Sequence, residues 1–190
     1  MQIDNSVDLK VYGARGELTK AILNNNGYDV LGVGDLGLLA RGVLGVSDEF
    51  EKVHEVSFIP HHSKFDLYNE KISEDDGFNL IDMRTYDYAY VLNEIAKSKL
   101  VISESLHGLI FADSLRVPNV WFKRKDLHVG GAFKFKDYFS TVGRSSHKNV
   151  DKLSDVARCN IFDDWYSVDQ GVKDTQEWLD RFVEENGTDE

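Results

Sequence analysis

The segment with the most chemical potential is Ser103-Glu104-Ser105-Leu106-His107-Gly108, which places two hydroxyls, a carboxylate and an imidazole within five residues. It follows the apolar run LVIS and precedes a compact apolar stretch, so it lies where a buried strand turns into a helix. The first N–H groups of a helix, together with its dipole, make such a position a natural anion site. Ser105 is placed to cap this helix, and Gly108 permits close approach. His107 is therefore a candidate functional residue, the alternative being a structural histidine at a helix start.

A glycine motif, Gly32-Val-Gly34-Asp-Leu-Gly37, matches the dinucleotide fingerprint G-x-G-x-x-G only weakly. A true fingerprint needs a long helix after the glycines and an acidic residue that closes a second strand. Here Gly42 and Gly45 interrupt the following segment, and Glu55 precedes its strand instead of ending it. The pattern favours a loop of tight turns over a nicotinamide site.

Metal and nucleophile chemistry find little support in the sequence. His61 and His62 follow an apolar strand, but adjacent strand residues do not face one ion, and no third ligand is evident. A polar strand end is the favoured interpretation. No G-x-S-x-G elbow is present, which disfavours a Ser–His hydrolase. The single cysteine, Cys159, excludes an internal disulfide framework and a Cys-rich metal site.

The composition predicts a cytoplasmic globular protein of 190 residues, either one domain or one domain plus a fragment of another. A net charge of −11 disfavours nucleic-acid binding. No apolar run reaches the roughly 20 residues of a membrane span, and the polar N-terminus does not resemble a secretory signal. Residues 116–149 contain eight basic and two acidic residues, so this segment either faces an anionic ligand or balances acidic neighbours.

The elements that must position these residues alternate along the chain. Predicted strands cover residues 8–13, 28–35, 56–62, 78–82, 100–103 and 118–122, and predicted helices cover 18–26, 86–97, 106–115, 150–158 and 168–185, with a loop over 63–79. Alternating strands and helices are typical of βαβ units with a parallel sheet, and ligands bind beyond the carboxyl ends of such strands. Three loops are predicted there: His61–His62, Asp82–Thr85 and Ser103–His107.

Three blocks of sequence, the third continued by a short stretch, resemble the polysaccharide pyruvyl transferase family over most of residues 9–145. They are RGELT (15–19) with GDLGLL (34–39), FIPHH (58–62), the long block 80–122 that contains SESLHG, and KFKDYFSTVGR (134–144). Two departures are Leu36, where the family often has proline, and Ser105, where some branches carry a basic residue.

The resemblance implies an α/β fold with a Rossmann-like parallel sheet flanked by helices, similar to the C-terminal half of a glycosyltransferase B-type fold. Residues 1–50 would be the end of a first Rossmann-like domain or a linking segment. Residues 51–190 would be a second Rossmann-like domain with C-terminal helices. The implied activity is transfer of pyruvate from phosphoenolpyruvate to a pair of sugar hydroxyls of a surface polysaccharide, forming a ketal without a cofactor or metal.

The resemblance and the positions together suggest roles for eight residues. His107 is the candidate acid or phosphate contact, and Glu104 is the candidate base, the alternatives for Glu104 being exposure or pairing with Arg84. Arg15 is the candidate clamp for a carboxylate or phosphate group, because a guanidinium binds such groups bidentately. The secondary substrate-binding candidates are His61, Ser103, Ser105, Lys134 and Lys136, where the two lysines are equally well explained as a surface pair.

The expected partners are phosphoenolpyruvate and a glycan or lipid-linked sugar acceptor, with no nucleic acid and no membrane span. The family's members are longer than this chain, so a homo-oligomer or a separate N-terminal domain would complete the cleft. Two other functions stay open. One is a nucleotide-sugar glycosyltransferase of the same fold, and the other is a truncated, non-catalytic domain that binds glycan or a partner protein.

Overall fold

The structure, a computed structural model, describes residues 9–43, 50–123, 131–144, 149–153 and 168–187. The chain divides into two compact units, each assembled from separate segments. The first unit comprises Met1–Leu39, Val129–Ser146 and Trp165–Glu190, and the second unit comprises Ala40–His128 and His147–Asp164.

The described strands are β1 (Val11–Ala14), β2 (Val30–Val33), β3 (His54–Ile59), β4 (Phe78–Leu80), β5 (Ser98–Ser103), β6 (Asn119–Phe122) and β7 (Asn149–Val150). The described α-helices are α1 (Glu17–Asn25), α2 (Ala40–Val43), α3 (Phe65–Lys71), α4 (Tyr88–Ala96), α5 (Leu106–Ser114), α6 (Phe133–Thr141) and α7 (Asp169–Asn186). Short 3₁₀ turns lie at Leu36–Leu39, His62–Lys64 and Glu74–Asp76. Within the described ranges, no helix is long and apolar enough to cross a membrane.

The second unit is built on a five-stranded parallel sheet in the order β4-β3-β5-β6-β7. This confirms the predicted α/β fold with a Rossmann-like parallel sheet. The chain runs outward from β3 to β4 and then returns to the other side of β3 to form β5. The chain therefore leaves β3 toward one side of the sheet and leaves β5 toward the other side. In open parallel sheets, such a switch point between two neighbouring strands forms a crevice beyond their carboxyl ends.

Each face of this sheet buries its own apolar cluster, because successive strand residues point to opposite faces. Ile59 and Val101 pack in one cluster with residues of α4 and α5. Phe58 and Ile102 pack in the other cluster, against which Tyr68 of α3 lies. This arrangement follows from right-handed crossovers, which place α3 on one face and both α4 and α5 on the other.

The first unit contains the two-stranded parallel sheet β1–β2, on which α7 packs closely. A Cβ at Gly34 would lie 1.9 Å from the Thr175 hydroxyl oxygen, and one at Gly32 would lie 2.9 Å from Trp178. After these glycines comes a 3₁₀ turn followed by the four-residue α2, instead of a long helix. The first two glycines of the G-x-G-x-x-G motif, Gly32 and Gly34, therefore make room for a packed helix, which agrees with the preference for a structural loop.

Two local predictions are wrong. Residues 63–79 were expected to be loop, but they contain α3, whose seven residues are too few to show a clear apolar period. The helix predicted over 150–158 begins in a strand instead, since Val150 belongs to the two-residue β7. Residues 154–158 lie outside the described residues.

The predicted division at residue 50 stays a prediction, and the two compact units describe how segments of the chain pack together. Segments distant in sequence build the first unit, because α7 packs on β1 and β2, and α6 packs on α1. The C-terminal helix therefore joins the N-terminal strands, an association that composition along the chain does not reveal.

Candidate active site

Two of the three predicted loops meet at the switch point between β3 and β5. Ile59 and Ser103 are register partners at the carboxyl ends of these strands. One residue further on, the Glu104 N–H donates to the Ile59 carbonyl at 2.9 Å. Pro60 and His61 on one side and Glu104 and Ser105 on the other therefore leave the sheet at the same edge.

Glu104 holds this edge together. Its side chain is 4% exposed, and one carboxylate oxygen accepts a hydrogen bond from the His61 N–H at 2.7 Å. The other oxygen accepts from the Tyr68 hydroxyl at 3.1 Å. Glu104 is thus neither exposed nor paired with Arg84, the two alternatives considered from the sequence. Since a buried carboxylate is stable only when it is hydrogen-bonded, these contacts fit a positioning residue, and the role of general base stays a prediction.

Ser103 fixes the turn that leads into α5. Its hydroxyl donates to the Ser105 carbonyl at 2.8 Å and accepts from the Ser105 N–H at 3.0 Å. A Cβ at Gly108 would lie only 2.3 Å from the Ser103 hydroxyl oxygen, so a glycine is needed for α5 to approach the strand end. Ser103 is fully buried, and its hydroxyl is already bonded within the chain.

The first turn of α5 is open. Ser105 occupies the N-cap position, but its side chain makes no capping hydrogen bond, so the prediction that it caps the helix is wrong. No residue in the described ranges accepts a hydrogen bond from the N–H of Leu106, His107 or Gly108. His107 is exposed, and its ring stacks on Phe111 at a centroid distance of 6.0 Å. Three N–H groups that have no acceptor among the described residues, together with an exposed imidazole, thus lie at a helix start, where an anion binds well.

His61 is held by the next residues of its own loop. Its Nδ1 accepts from the Ser63 N–H at 3.3 Å and lies 2.8 Å from the Ser63 hydroxyl oxygen. An accepting Nδ1 leaves the proton of the neutral ring on Nε2. The His62 ring lies 4.1 Å from that of His61. In the part of the chain that the structure describes, no three potential ligands cluster around a metal position.

The third predicted loop, after β4, carries a paired cation. The Arg84 guanidinium donates to both Asp82 oxygens and, at 3.0 Å each, to both Asp66 oxygens, and it lies 4.6 Å from the centre of the Phe65 ring. The hydrogen bonds from Arg84 lower the pKa of the Asp82 carboxyl. Two carboxylates therefore neutralise this cation and tie the loop to the start of α3.

The remaining predicted site residues lie in the first unit. Arg15 donates from Nε to Asp35 at 2.8 Å and keeps 37% of its side chain exposed. Lys134 and Lys136 are exposed on α6. The structure therefore brings together five predicted residues in the second unit: His61, Ser103, Glu104, Ser105 and His107. The other three belong to a different compact unit.

Asp137 is an important residue that the sequence did not single out. Its carboxylate accepts from the Thr19 N–H at 2.8 Å and from the Thr19 hydroxyl at 2.6 Å, while Ser140 accepts from the Glu17 N–H at 3.0 Å. A Cβ at Gly16 would lie 1.8 Å from the Asp137 carbonyl oxygen. The blocks RGELT and KFKDYFSTVGR are thus one interlocked structure. Their joint occurrence in the sequence was the only signal that could have suggested it.

Comparisons with known proteins place the chain in context. Residues 2–126 match the family model described as polysaccharide pyruvyl transferase. The chain is 31% identical over 134 residues to the uncharacterized protein L143 of Acanthamoeba polyphaga mimivirus, a match that covers 68% of this chain and 47% of that protein. It is 35% identical over 115 residues to the succinoglycan biosynthesis protein ExoV of Rhizobium meliloti (strain 1021), covering 57% of this chain and 35% of that protein. The chain thus spans less than half the length of these relatives, and no solved structure matches it significantly.

Proposed function

This chain belongs to the polysaccharide pyruvyl transferase family, and on that premise we propose that it acts in transferring pyruvate from phosphoenolpyruvate to two hydroxyls of one sugar in a polysaccharide. The observation that carries this proposal is the open first turn of α5 beside His61 at the β3–β5 switch point. The similarity to ExoV, whose name refers to succinoglycan biosynthesis, supports a polysaccharide acceptor.

The reaction needs an anion site and proton transfer. The methylene carbon of phosphoenolpyruvate gains a proton and becomes a methyl group, while the two sugar oxygens each form a bond to C2. The bond between C2 and the phosphate oxygen breaks, and phosphate leaves with the second hydroxyl proton. Positive charge develops at C2 and negative charge on the leaving phosphate, so donors held at the phosphate stabilise the transition state.

The second unit offers groups for both tasks. We assign the phosphate to the N–H groups of residues 106–108, where the helix dipole adds to the attraction. His107 is placed to contact the phosphate or to deliver the proton. The ring of His61 and the hydroxyl of Ser105 belong to loops that leave the sheet at the same edge. Glu104 orients the His61 loop, and the chemistry as written requires no metal or cofactor.

Arg15, Lys134 and Lys136 of the first unit remain proposed anion contacts. Arg15 is the strongest of the three, because only its Nε is bonded to Asp35, and its terminal nitrogens are bonded to no described residue. Such a guanidinium edge suits the carboxylate of phosphoenolpyruvate.

Calorimetric titration of phosphoenolpyruvate into the chain tests the donor site. We expect a dissociation constant of roughly 1 mM or tighter, with at least a fivefold loss on His107→Ala and on Arg15→Ala. A matched control is Lys99→Ala, which removes a half-exposed cation at the amino end of β5, on the opposite edge of the sheet. Equal losses of affinity in His107→Ala and Lys99→Ala would show that general electrostatic attraction, and not a site at His107, accounts for the binding of phosphoenolpyruvate.

Two further results would overturn the proposal. Absence of heat with phosphoenolpyruvate would favour a non-catalytic domain. Stronger binding of a nucleotide sugar than of phosphoenolpyruvate would favour a glycosyltransferase. Inorganic phosphate and pyruvate, titrated separately, show which end of the donor the chain holds.

A further inference from the structure

Three tyrosines stand exposed around the start of α4. Tyr86, Tyr88 and Tyr90 are 92%, 66% and 46% exposed. Large aromatic side chains bury most of their surface in folded proteins, so a cluster of exposed rings within five residues calls for a binding partner. The cluster follows β4, at the same carboxyl edge of the sheet that carries the candidate donor site.

Tyr88 lies on the sheet-facing side of α4. Its helical neighbours at i+3, i+4 and i+7, which are Val91, Leu92 and Ile95, are all buried. The same spacing predicts a buried Tyr88, but this residue occupies the first turn of the helix and remains exposed. Because α4 follows β4, Tyr88 lies at the edge of the sheet where the strands have their carboxyl ends. Tyr90, about 200° further around the helix, points away.

The start of α4 lies on the same face of the sheet as His107, because residues near both pack against one apolar cluster. Met83, in the loop before Tyr86, and Phe111 both pack against the apolar cluster formed by α4, α5 and the sheet. Phe111 carries the stacked ring of His107. Since α4 and α5 pack side by side, the starts of both helices open onto the same edge.

We propose that Tyr86 and Tyr88 form a platform on which a pyranose ring of the acceptor stacks. The C–H groups on one face of a pyranose pack on phenol rings, while the hydroxyl groups of the sugar stay free for reaction or for hydrogen bonds to the tyrosine hydroxyls. A sugar held there would present its hydroxyl pair toward the start of α5. This inference rests on the proposed function and adds to it the residues that hold the acceptor.

Fluorine NMR of the chain labelled with 3-fluorotyrosine tests this platform. Cellobiose, lactose and methyl glucoside serve as probes, and Tyr→Phe variants assign the three signals. The signals of Tyr86 and Tyr88 are expected to shift on titration, while that of Tyr90 stays unchanged. Tyr88→Ala should weaken sugar binding about tenfold, and Tyr90→Ala is the matched control on the opposite side of the helix.

Three results would overturn the platform. One is an equal shift of the Tyr90 signal, another is no shift with any of the sugars, and the third is a change with protein concentration alone, which would indicate that a second copy covers the rings. The donor titration is independent of this experiment. If phosphoenolpyruvate fails to bind while Tyr86 and Tyr88 respond to sugar, the donor assignment fails and the platform stands.

Discussion

The two helices α1 and α5 begin in similar positions but differ in whether their first N–H groups have acceptors. Each follows a parallel strand, and each begins at a motif of the family resemblance, RGELT for α1 and SESLHG for α5. The first turn of α1 is filled by Asp137 and Ser140 of α6. The first turn of α5 has no acceptor among the described residues.

Because of this difference, we propose the start of α5, and not the start of α1, as an anion site. The positive end of α1 already has a carboxylate, buried to 2% exposure, so another anion gains little there. The positive end of α5 faces an open edge, with its strand turn fixed by Ser103 and Glu104. The two helix starts thus differ because of what packs on them from elsewhere in the chain.

The largest expected effect comes from Gly16→Ala. Its Cβ would lie 1.8 Å from the Asp137 carbonyl oxygen, so α1 and α6 would have to separate. We expect a loss of about 3 kcal/mol or more in the free energy of unfolding, measured by urea denaturation. Gly27→Ala is the control, because Gly27 has a φ of 87° but no atom near its Cβ position, and it should cost only about 1 kcal/mol. Equal losses would show that the close packing at Gly16 is unimportant.

Removing the carboxylate at the start of α1 comes next. Asp137→Ala leaves the Thr19 N–H and hydroxyl without their acceptor and should cost about 2 kcal/mol in urea denaturation. Asp137→Asn should cost less, since its amide oxygen still accepts one of these bonds. An Asp137→Ala variant as stable as the wild type would contradict the role of this carboxylate at the start of α1.

A smaller loss is expected from Glu104→Gln. The amide oxygen can accept from the His61 N–H, but the Tyr68 hydroxyl then faces the NH₂ group and can no longer donate to this side chain. We expect about 1.5 kcal/mol less stability and weaker binding of phosphoenolpyruvate, because the His61 loop loses its anchor. Tyr68→Phe separates the two effects by removing only one of the donors. A Glu104→Gln variant that is as stable as the wild type but no longer binds phosphoenolpyruvate would point to a direct role for this carboxylate.

The smallest effect concerns the loop after β4. Its cation, Arg84, is already paired with carboxylates, just as the N–H groups at the start of α1 already have acceptors. Hydrogen bonds from Arg84 lower the folded-state pKa of Asp82. This carboxylate therefore contributes stability above its unfolded pKa, near 3.9, and loses the contribution as the pH falls through the lower folded value. The stability difference between wild type and Asp82→Asn should vanish over that range. A difference that grows on acidification would contradict the pairing.

Local sequence patterns predicted much of the second unit, but they did not predict most of the long-range contacts. The apolar runs at 56–59 and 100–103 predict their strands because both faces are buried, and the alternation with helices predicts the parallel sheet. The short α3 was missed, and with it Tyr68 as a partner of Glu104. Asp137 lies within a basic segment, whose charge suggested either a face for an anionic ligand or a solvated surface, and not a buried carboxylate. Its burial depends on α1, which lies over a hundred residues earlier.

The proposal that the start of α5 is the anion site is tested most directly by titrating the chain with phosphoenolpyruvate and following the amide chemical shifts by ¹H–¹⁵N NMR. The account predicts the largest shifts at the N–H groups of Leu106, His107 and Gly108, with those of Glu17 and Thr19 unchanged. Shifts centred on Glu17 and Thr19, or none at residues 106–108, would contradict the assignment of the open start of α5 as the anion site.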